Sequence, residues 1–116
     1  NDKYVESDLI NSYAWDTAIV YIQAMGNSNY ANQTDANGTL KNTGSTGDEK
    51  CKIFDMAANT AEWTTEYSTD TFSSIAFACT FRGSCYLSND CTSSRYGYSA
   101  TSSGSNVSFR PILYVK

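Results

Sequence analysis

Residues 53–64 read Ile53-Phe54-Asp55-Met56-Ala57-Ala58-Asn59-Thr60-Ala61-Glu62-Trp63-Thr64, and they decide the fold. An apolar, strand-like start breaks at Asp55, and a strand-like pattern resumes at Glu62. The break predicts a tight connection with Phe54 and Trp63 packed in a core. We expect the polar residues of this stretch, Asp55, Asn59 and Glu62, to hydrogen-bond the backbone of the turn. A catalytic or metal-binding role is the alternative.

Upstream of this stretch, apolar residues recur at spacings of three and four, which predicts an amphipathic helix over residues 8–25. Ser7-Asp8 would cap its start, and Gly26 would end it. The predicted apolar stripe consists of Leu9, Ile10, Tyr13, Ala14, Ala18, Ile19, Ile22 and Met25, with Trp15 beside it. The helix would pack on the strands that follow.

The remaining chain alternates loops with short strands. Residues 26–50 are rich in Asn, Gly, Ser and Thr and predict a long surface loop. Residues 75–83 and 107–116 predict strands, the second with Pro111 at an edge or a bulge. The order of elements therefore predicts an α+β fold with a small antiparallel sheet.

Composition bounds the class of protein. A chain of 116 residues forms one domain with a single core. The net charge is −4 with eight Lys and Arg residues in total, which argues against a nucleic-acid partner. The longest apolar run is too short to span a membrane, and the start shows no signal-peptide pattern. Because that start is abrupt, we expect residues 1–116 to be the C-terminal part of a longer protein.

Histidine is absent, so neither a Ser-His-Asp nor a Cys-His site can be built from this chain alone. Without histidine, a tetrahedral zinc site would need all four cysteines, Cys51, Cys79, Cys85 and Cys91. Two disulfides could form in any of three pairings, and free thiols are the expectation in a reducing compartment. Asp35, Asp48 and Glu49 carry calcium-type ligands but lack a regular loop spacing. We expect no metal and no cofactor.

Residues 84–106 have an unusual composition. The 23 residues are mainly Ser, Tyr, Asn, Gly, Thr and Cys, and they include no Lys, Glu, Gln, Trp or Met. Tyr combined with Ser, Gly and Asn is the composition of an antibody paratope. A polar loop plugged by a few aromatic side chains is the alternative interpretation.

Three motifs in order resemble a known family. Residues 55–64 resemble the Asp-Met-Ala-Gly-Asn-Val-Trp-Glu-Trp-Thr motif of the C-type lectin fold shared by formylglycine-generating enzymes and the variable proteins of diversity-generating retroelements. Residues 81–84 are similar to that family's Arg-Gly-Gly-Ser, and residues 108–114 to its closing Gly-Phe-Arg strand. Residues 92–95 resemble the Ala-Ser-x-Arg element of the prophage variable proteins.

Departures from the family pattern make further predictions. Ala58 replaces a motif glycine, and a positive φ there would cost about 1 kcal/mol or more. Thr60 and Ala61 replace Val-Trp, which removes one core aromatic residue. The resemblance also implies a first strand, upstream of the helix, that pairs with the last. Residues 1–7 are too short to supply it well, so we expect this partner on a preceding segment.

Variation in the retroelement family arises at adenines of template codons that end in a pyrimidine. Such codons, with C fixed at the third base, cannot encode Lys, Glu, Gln, Trp or Met, and all five types are absent from residues 84–106. The resemblance therefore implies a variable ligand-binding region there, anchored by Tyr96 and Tyr98. The implied binding residues are Cys85, Leu87, Asn89, Asp90, Ser94, Tyr96, Gly97, Tyr98, Ser102 and Ser103. The implied scaffold residues are Asp55, Asn59, Glu62, Trp63, Arg82, Arg95 and Tyr86.

Three functions follow from the resemblance. The first, which we favour, is a binding module and not an enzyme. It would recognise a protein or glycan on a host or target cell surface, from a phage tail tip or a bacterial or archaeal surface, with homotrimeric or other multivalent display adding avidity. Replacing Tyr96 and Tyr98 with alanine should then abolish binding with little change in melting temperature.

The second function is an oxidoreductase like formylglycine-generating enzyme. Cys85 and Cys91 do not match that enzyme's cysteine spacing from Arg82, and its neighbouring histidine is missing. The third is a calcium-dependent lectin, for which the chain lacks a cluster such as Glu-Pro-Asn.

Overall fold

The chain forms an α+β fold with one helix and small sheets in the part that the structure, a computed structural model, describes: residues 4–34, 38–69, 71–72 and 75–115. The first elements are β1 (Val5–Leu9), α1 (Ser12–Ala24), a 3₁₀ turn (Tyr30–Asn32), β2 (Glu49–Lys50) and β3 (Ile53–Phe54). The later strands are β4 (Ala61–Tyr67), β5 (Thr71–Phe72), β6 (Ile75–Ala76), β7 (Cys79–Arg82), β8 (Arg95–Tyr98), β9 (Val107–Phe109) and β10 (Pro111–Val115). The predicted α+β class is confirmed.

The central sheet has four strands in the order β8-β7-β4-β9. Strand β7 pairs antiparallel with both β4 and β8, whereas β9 pairs parallel with β4. The sheet is therefore mixed, although the sequence predicted an antiparallel one. The predicted strand over residues 75–83 is divided between β6 and β7, and the closing strand is divided at Arg110 into β9 and β10.

The two ends of the described chain pair with each other. Strand β1 runs antiparallel to β10, with residue pairs from Val5–Val115 to Leu9–Pro111. The expectation that the partner of the last strand lies before Asn1 is therefore wrong. Pro111 lies at the start of β10, in a sheet of two strands, which agrees with its predicted edge position.

The helix begins later than predicted. Its N-cap is Asn11, whose side chain accepts a hydrogen bond from the Ala14 amide at 2.8 Å. Ser7 and Asp8, which were predicted to cap the helix, instead belong to β1 and pair with β10. The helix ends at Ala24, and Gly26 follows with a φ of 104°, as a helix stop requires. No helix in the described ranges is long and apolar enough to cross a membrane.

The core lies between α1 and the 55–60 turn. Its buried residues are Ile10, Trp15, Ile19, Ile22, Tyr30, Met56 and Ala57. Trp15 is fully buried at the centre, because the buried stripe runs through residues 15, 19 and 22. Tyr13 and Met25, which the sequence placed in the stripe, are 86% and 60% exposed, and Phe54 is also exposed rather than in the core. Other residues of the predicted stripe do lie in the core or pack against it: Ile10, Ala14, Ala18, Ile19 and Ile22. The buried face of the helix therefore differs from the predicted one by including Trp15 and excluding Tyr13 and Met25.

The polar side chains of the 55–60 turn form hydrogen bonds with the long 26–50 loop, and not with the backbone of the turn as expected. The Asp55 carboxylate accepts hydrogen bonds from the Gly44 amide and the Thr46 hydroxyl, and the Asn59 side chain exchanges two bonds with the Lys41 backbone. Asp55 and Asn59 have φ values of 59° and 69°, a conformation that Asp and Asn tolerate better than most residues. Ala58 is absent from the positive-φ residues, so the loss of the motif glycine causes no backbone strain there.

Candidate ligand-binding surface

The 84–106 segment is tied to the body at its start and its middle. Ser84 and Thr92 are completely buried. The Thr92 amide and hydroxyl both donate to the Gln33 carbonyl, and the Trp15 indole N–H donates to the Thr92 carbonyl at 3.0 Å. These contacts fix the segment on the loop at residues 31–34 and on the core tryptophan.

Arg82 supports the same segment from below. Its side chain is 3% exposed, its Nε donates to the Ser94 carbonyl at 3.1 Å, and its Nη2 pairs with Asp16 and the Ser93 carbonyl. Arg95, opposite Arg82 in the β7–β8 register, is instead exposed and forms an ion pair with Glu66. Both arginines therefore orient the segment through polar contacts within the chain, Arg82 from inside and Arg95 at the surface.

The expected binding residues differ in how they meet solvent. Leu87, Asn89, Tyr96, Tyr98 and Ser103 are exposed. Asp90, Ser94, Gly97 and Ser102 are half-buried, and the Ser94 hydroxyl accepts from the Cys91 amide. Cys85 is 5% exposed, and its thiol donates to the Ser88 hydroxyl. Its assignment to the binding surface is wrong, because the side chain lies beneath that surface.

Aromatic side chains form a row across the outer face of the central sheet. Phe109, Trp63, Phe81 and Tyr96 are register partners on β9, β4, β7 and β8, in that order. Tyr98, two residues beyond Tyr96 on the same face, contacts Trp63, Phe77 and Phe81 at centroid distances of 6.2, 6.1 and 5.6 Å. Trp63 thus belongs to this surface row and not to the core around Trp15, which corrects its expected role as the core anchor.

A hydrogen bond joins the loop to the row. The Tyr96 hydroxyl donates to the Asp90 carboxylate at 2.5 Å, and this bond raises the pKa of Tyr96. Tyr96 therefore stays neutral, and remains a donor, at any physiological pH. The contact orients one exposed ring and one acidic side chain, both among the expected binding residues.

A second polar cluster lies at the other edge of the sheet, on β4 and the β9–β10 junction. Glu62 is 6% exposed and makes two hydrogen bonds with Arg110, at 2.8 and 2.9 Å. Burial raises the pKa of Glu62, and the positive charge of Arg110 offsets part of that rise. Glu62 was expected to bond the turn, but its partner is the closing strand, which Arg110 also links to the Phe54 carbonyl.

The cysteines and acidic residues do not assemble a metal centre in the described part of the chain, where no group of three or more such ligands occurs. All four cysteines are free thiols. Hydrogen bonds from Ser93 and Ser94 lower the pKa of Cys91. Asp48 is buried and accepts from the Tyr30 hydroxyl and the Ala57 amide, so protein donors occupy it. Asp35 lies outside the described residues.

The sequence interpretation missed Phe81, Phe109 and Glu66 as members or supports of this surface. Phe81 directly precedes Arg82 and lies two residues after Cys79. Strand alternation could therefore have placed Phe81 on the same face as Cys79 and on the face opposite Arg82. Phe109 and Glu66 depend on strand pairing, which a single sequence does not encode locally.

The fold and the surface together define an α+β domain that displays an aromatic row beside a loop of Ser, Tyr and Asn. Comparison of the chain with protein-family models, with curated proteins and with solved structures finds no match.

The ring contacts change the expectation for the tyrosine variants. Replacing Tyr98 with alanine removes contacts with three rings and should lower the free energy of unfolding by about 2 kcal/mol, since each aromatic pair contributes about 0.5–1.5 kcal/mol. Tyr67→Ala is the control, because Tyr67 also lies in a strand but is 71% exposed. Urea unfolding would measure both, and equal losses would show that the ring contacts of Tyr98 add no stability.

Proposed function

We propose that the chain is a ligand-binding module: a C-type lectin scaffold that displays residues 84–106 as a hypervariable surface diversified by a retroelement. The observation that carries the proposal is the absence of Lys, Glu, Gln, Trp and Met from a 23-residue surface segment. An ordinary exposed loop would be expected to contain Lys, Glu and Gln. Variable codons that end in a pyrimidine cannot encode these residues, which explains their absence.

The architecture supports the scaffold part of the proposal. The family's first strand pairs with its last, and here β1, upstream of the helix, pairs with β10. The motif at residues 55–64 forms the turn that enters the central strand β4, and the segment of interest follows β7. The segment also contains two kinds of position. Ser84 and Thr92 are buried and anchor the segment, whereas Leu87 and Asn89 are exposed to solvent.

The ligand in this proposal is a protein or glycan on a host or target cell surface. Tyr96 and Tyr98 act as anchors, since exposed tyrosine combines a large contact area with a hydroxyl. Display from a phage tail tip or from a bacterial or archaeal surface, as a homotrimer or another multivalent array, would raise the avidity of a weak single site. The proposal is for binding without catalysis and without a cofactor.

Tolerance to substitution tests the proposal. A variant that combines Leu87→Ser, Asn89→Tyr and Ser103→Tyr should have a free energy of unfolding within about 0.5 kcal/mol of the parent's, because these side chains are exposed. The matched control is Thr92→Tyr, in the same segment but completely buried, which should lose several kcal/mol through overpacking. If the exposed triple variant loses as much stability as Thr92→Tyr, the segment is part of the packed structure and cannot serve as a variable surface.

A further inference from the structure

A small cavity opens beside the aromatic row. Its volume is about 60 Å³, and its lining includes the rings of Trp63, Phe81 and Tyr98. The opposite wall comes from the 102–107 segment, through Ser102, Ser103, Gly104, Asn106 and Val107. One wall is therefore aromatic, and the other is built from two serines, a glycine, an asparagine and a valine.

The three rings, called the aromatic corner below, are steeply inclined to one another and do not form a flat platform. Trp63 and Phe81 meet at 88°, Phe81 and Tyr98 at 70°, and Trp63 and Tyr98 at 53°. Their centroids are 5.6–6.2 Å apart. The flat face of a sugar or an aromatic ligand would stack on one ring only, whereas a compact, rounded group would touch all three.

Electrostatics distinguish among compact groups. The described residues that line the cavity include no Lys or Arg, and the chain carries a net charge of −4. Because the cavity adjoins all three rings, its occupant would lie within the reach of about 6 Å over which an aromatic face attracts a cation. Quaternary ammonium groups are the cations that aromatic cages of this kind recognise.

We propose that this corner binds a trimethylammonium group, the head of a choline-bearing ligand. The inference rests on the proposed function, because it names the ligand class for part of the same surface. Trp63 and Phe81 lie outside residues 84–106, while Tyr98, Ser102 and Ser103 lie inside. The corner therefore has a constant half on β4 and β7 and a half supplied by the variable segment.

Choline chloride and its uncharged isostere 3,3-dimethylbutan-1-ol are the probes. Each is titrated into the ¹⁵N-labelled chain while the indole N–H signals of Trp63 and Trp15 are followed. Choline should shift the Trp63 signal with a millimolar Kd. Trp15, completely buried and bonded to Thr92, should not respond and serves as the internal control. The neutral isostere should bind at least about fivefold more weakly, because it lacks the cation–π attraction.

A variant pair completes the test. Tyr98→Leu should weaken choline binding at least about fivefold, because it removes one of the three aromatic rings. Tyr67→Leu should not change choline binding, because Tyr67 does not line the cavity. Equal binding of choline and the isostere would overturn the cationic ligand, as would the absence of any Trp63 shift. Either failure would leave the proposed function standing if the exposed triple variant stays folded, so the two proposals fail separately.

Discussion

Gly83→Ala is expected to lower the free energy of unfolding by about 3 kcal/mol or more. Gly83 has a φ of +90°, and a Cβ built on it would lie 2.9 Å from the Met56 carbonyl oxygen and 2.9 Å from the Trp15 ring. Neither neighbour can move freely, because Met56 and Trp15 are both buried in the core. The added methyl group therefore combines backbone strain with overpacking, each of which costs about 1–3 kcal/mol.

Gly47→Ala separates these two costs. Gly47 has nearly the same φ, +88°, but a Cβ there would meet nothing within 4 Å. Its substitution should cost only the backbone strain, about 1 kcal/mol. Urea unfolding of both variants gives the comparison, and equal losses would contradict the close approach of Gly83 to the core. Because the Gly83 amide also donates to the Ser94 carbonyl, the same variant should loosen the 84–106 segment.

Arg110→Met should cost about 3 kcal/mol at neutral pH. The substitution leaves Glu62 buried without its partner, and removing one member of a buried ion pair typically costs about 3–5 kcal/mol. We expect the lower end because the Arg110 side chain is 23% exposed. The double variant Glu62→Gln with Arg110→Met removes the stranded charge and should recover most of the loss.

The loss in Arg110→Met should depend on pH. Burial already raises the pKa of Glu62 above its ordinary value of 4.5, and removal of Arg110 should raise it further. A carboxyl with a raised pKa binds its proton more tightly in the folded chain than in the unfolded chain. Protonated Glu62 therefore stabilises the folded chain below pH 4.5. This contribution to the free energy of unfolding is lost as the pH rises through the folded pKa of Glu62.

Denaturant unfolding at pH 4 and pH 7 would measure this dependence. The difference between the parent and Arg110→Met should be smaller at pH 4 than at pH 7. A difference that stays the same at both pH values would contradict a stranded Glu62 carboxylate as the cause.

Local patterns predicted the class of the fold but not its long-range pairings. The periodicity around Ile19 and Ile22 located the helix, and the pattern from Glu62 to Thr64 located the central strand. The same periodicity misassigned Ser7 and Asp8, because only their pairing with residues 112 and 113 makes them a strand. That partner lies about a hundred residues away and leaves no local signal.

The candidate surface shows the same division. Composition marked residues 84–106 as unusual, and the family resemblance brought Tyr96 and Tyr98 forward as anchors. It could not show that Cys85 points inward, because a residue in an irregular loop has no periodicity from which burial can be read. It also could not place Phe81 and Phe109 beside the tyrosines, since that arrangement exists only once four strands are in register.

Sequencing of the DNA around the coding region tests the central claim most directly. If residues 84–106 are diversified by a retroelement, a near-copy of the stretch that encodes them should lie nearby, beside a reverse transcriptase gene, and differ from it only at template adenines. The differences should fall in codons for exposed residues such as Leu87, Asn89 and Tyr96, and should spare the buried Ser84 and Thr92. The absence of a copy, or differences spread equally over buried codons and other bases, would contradict a diversified binding surface.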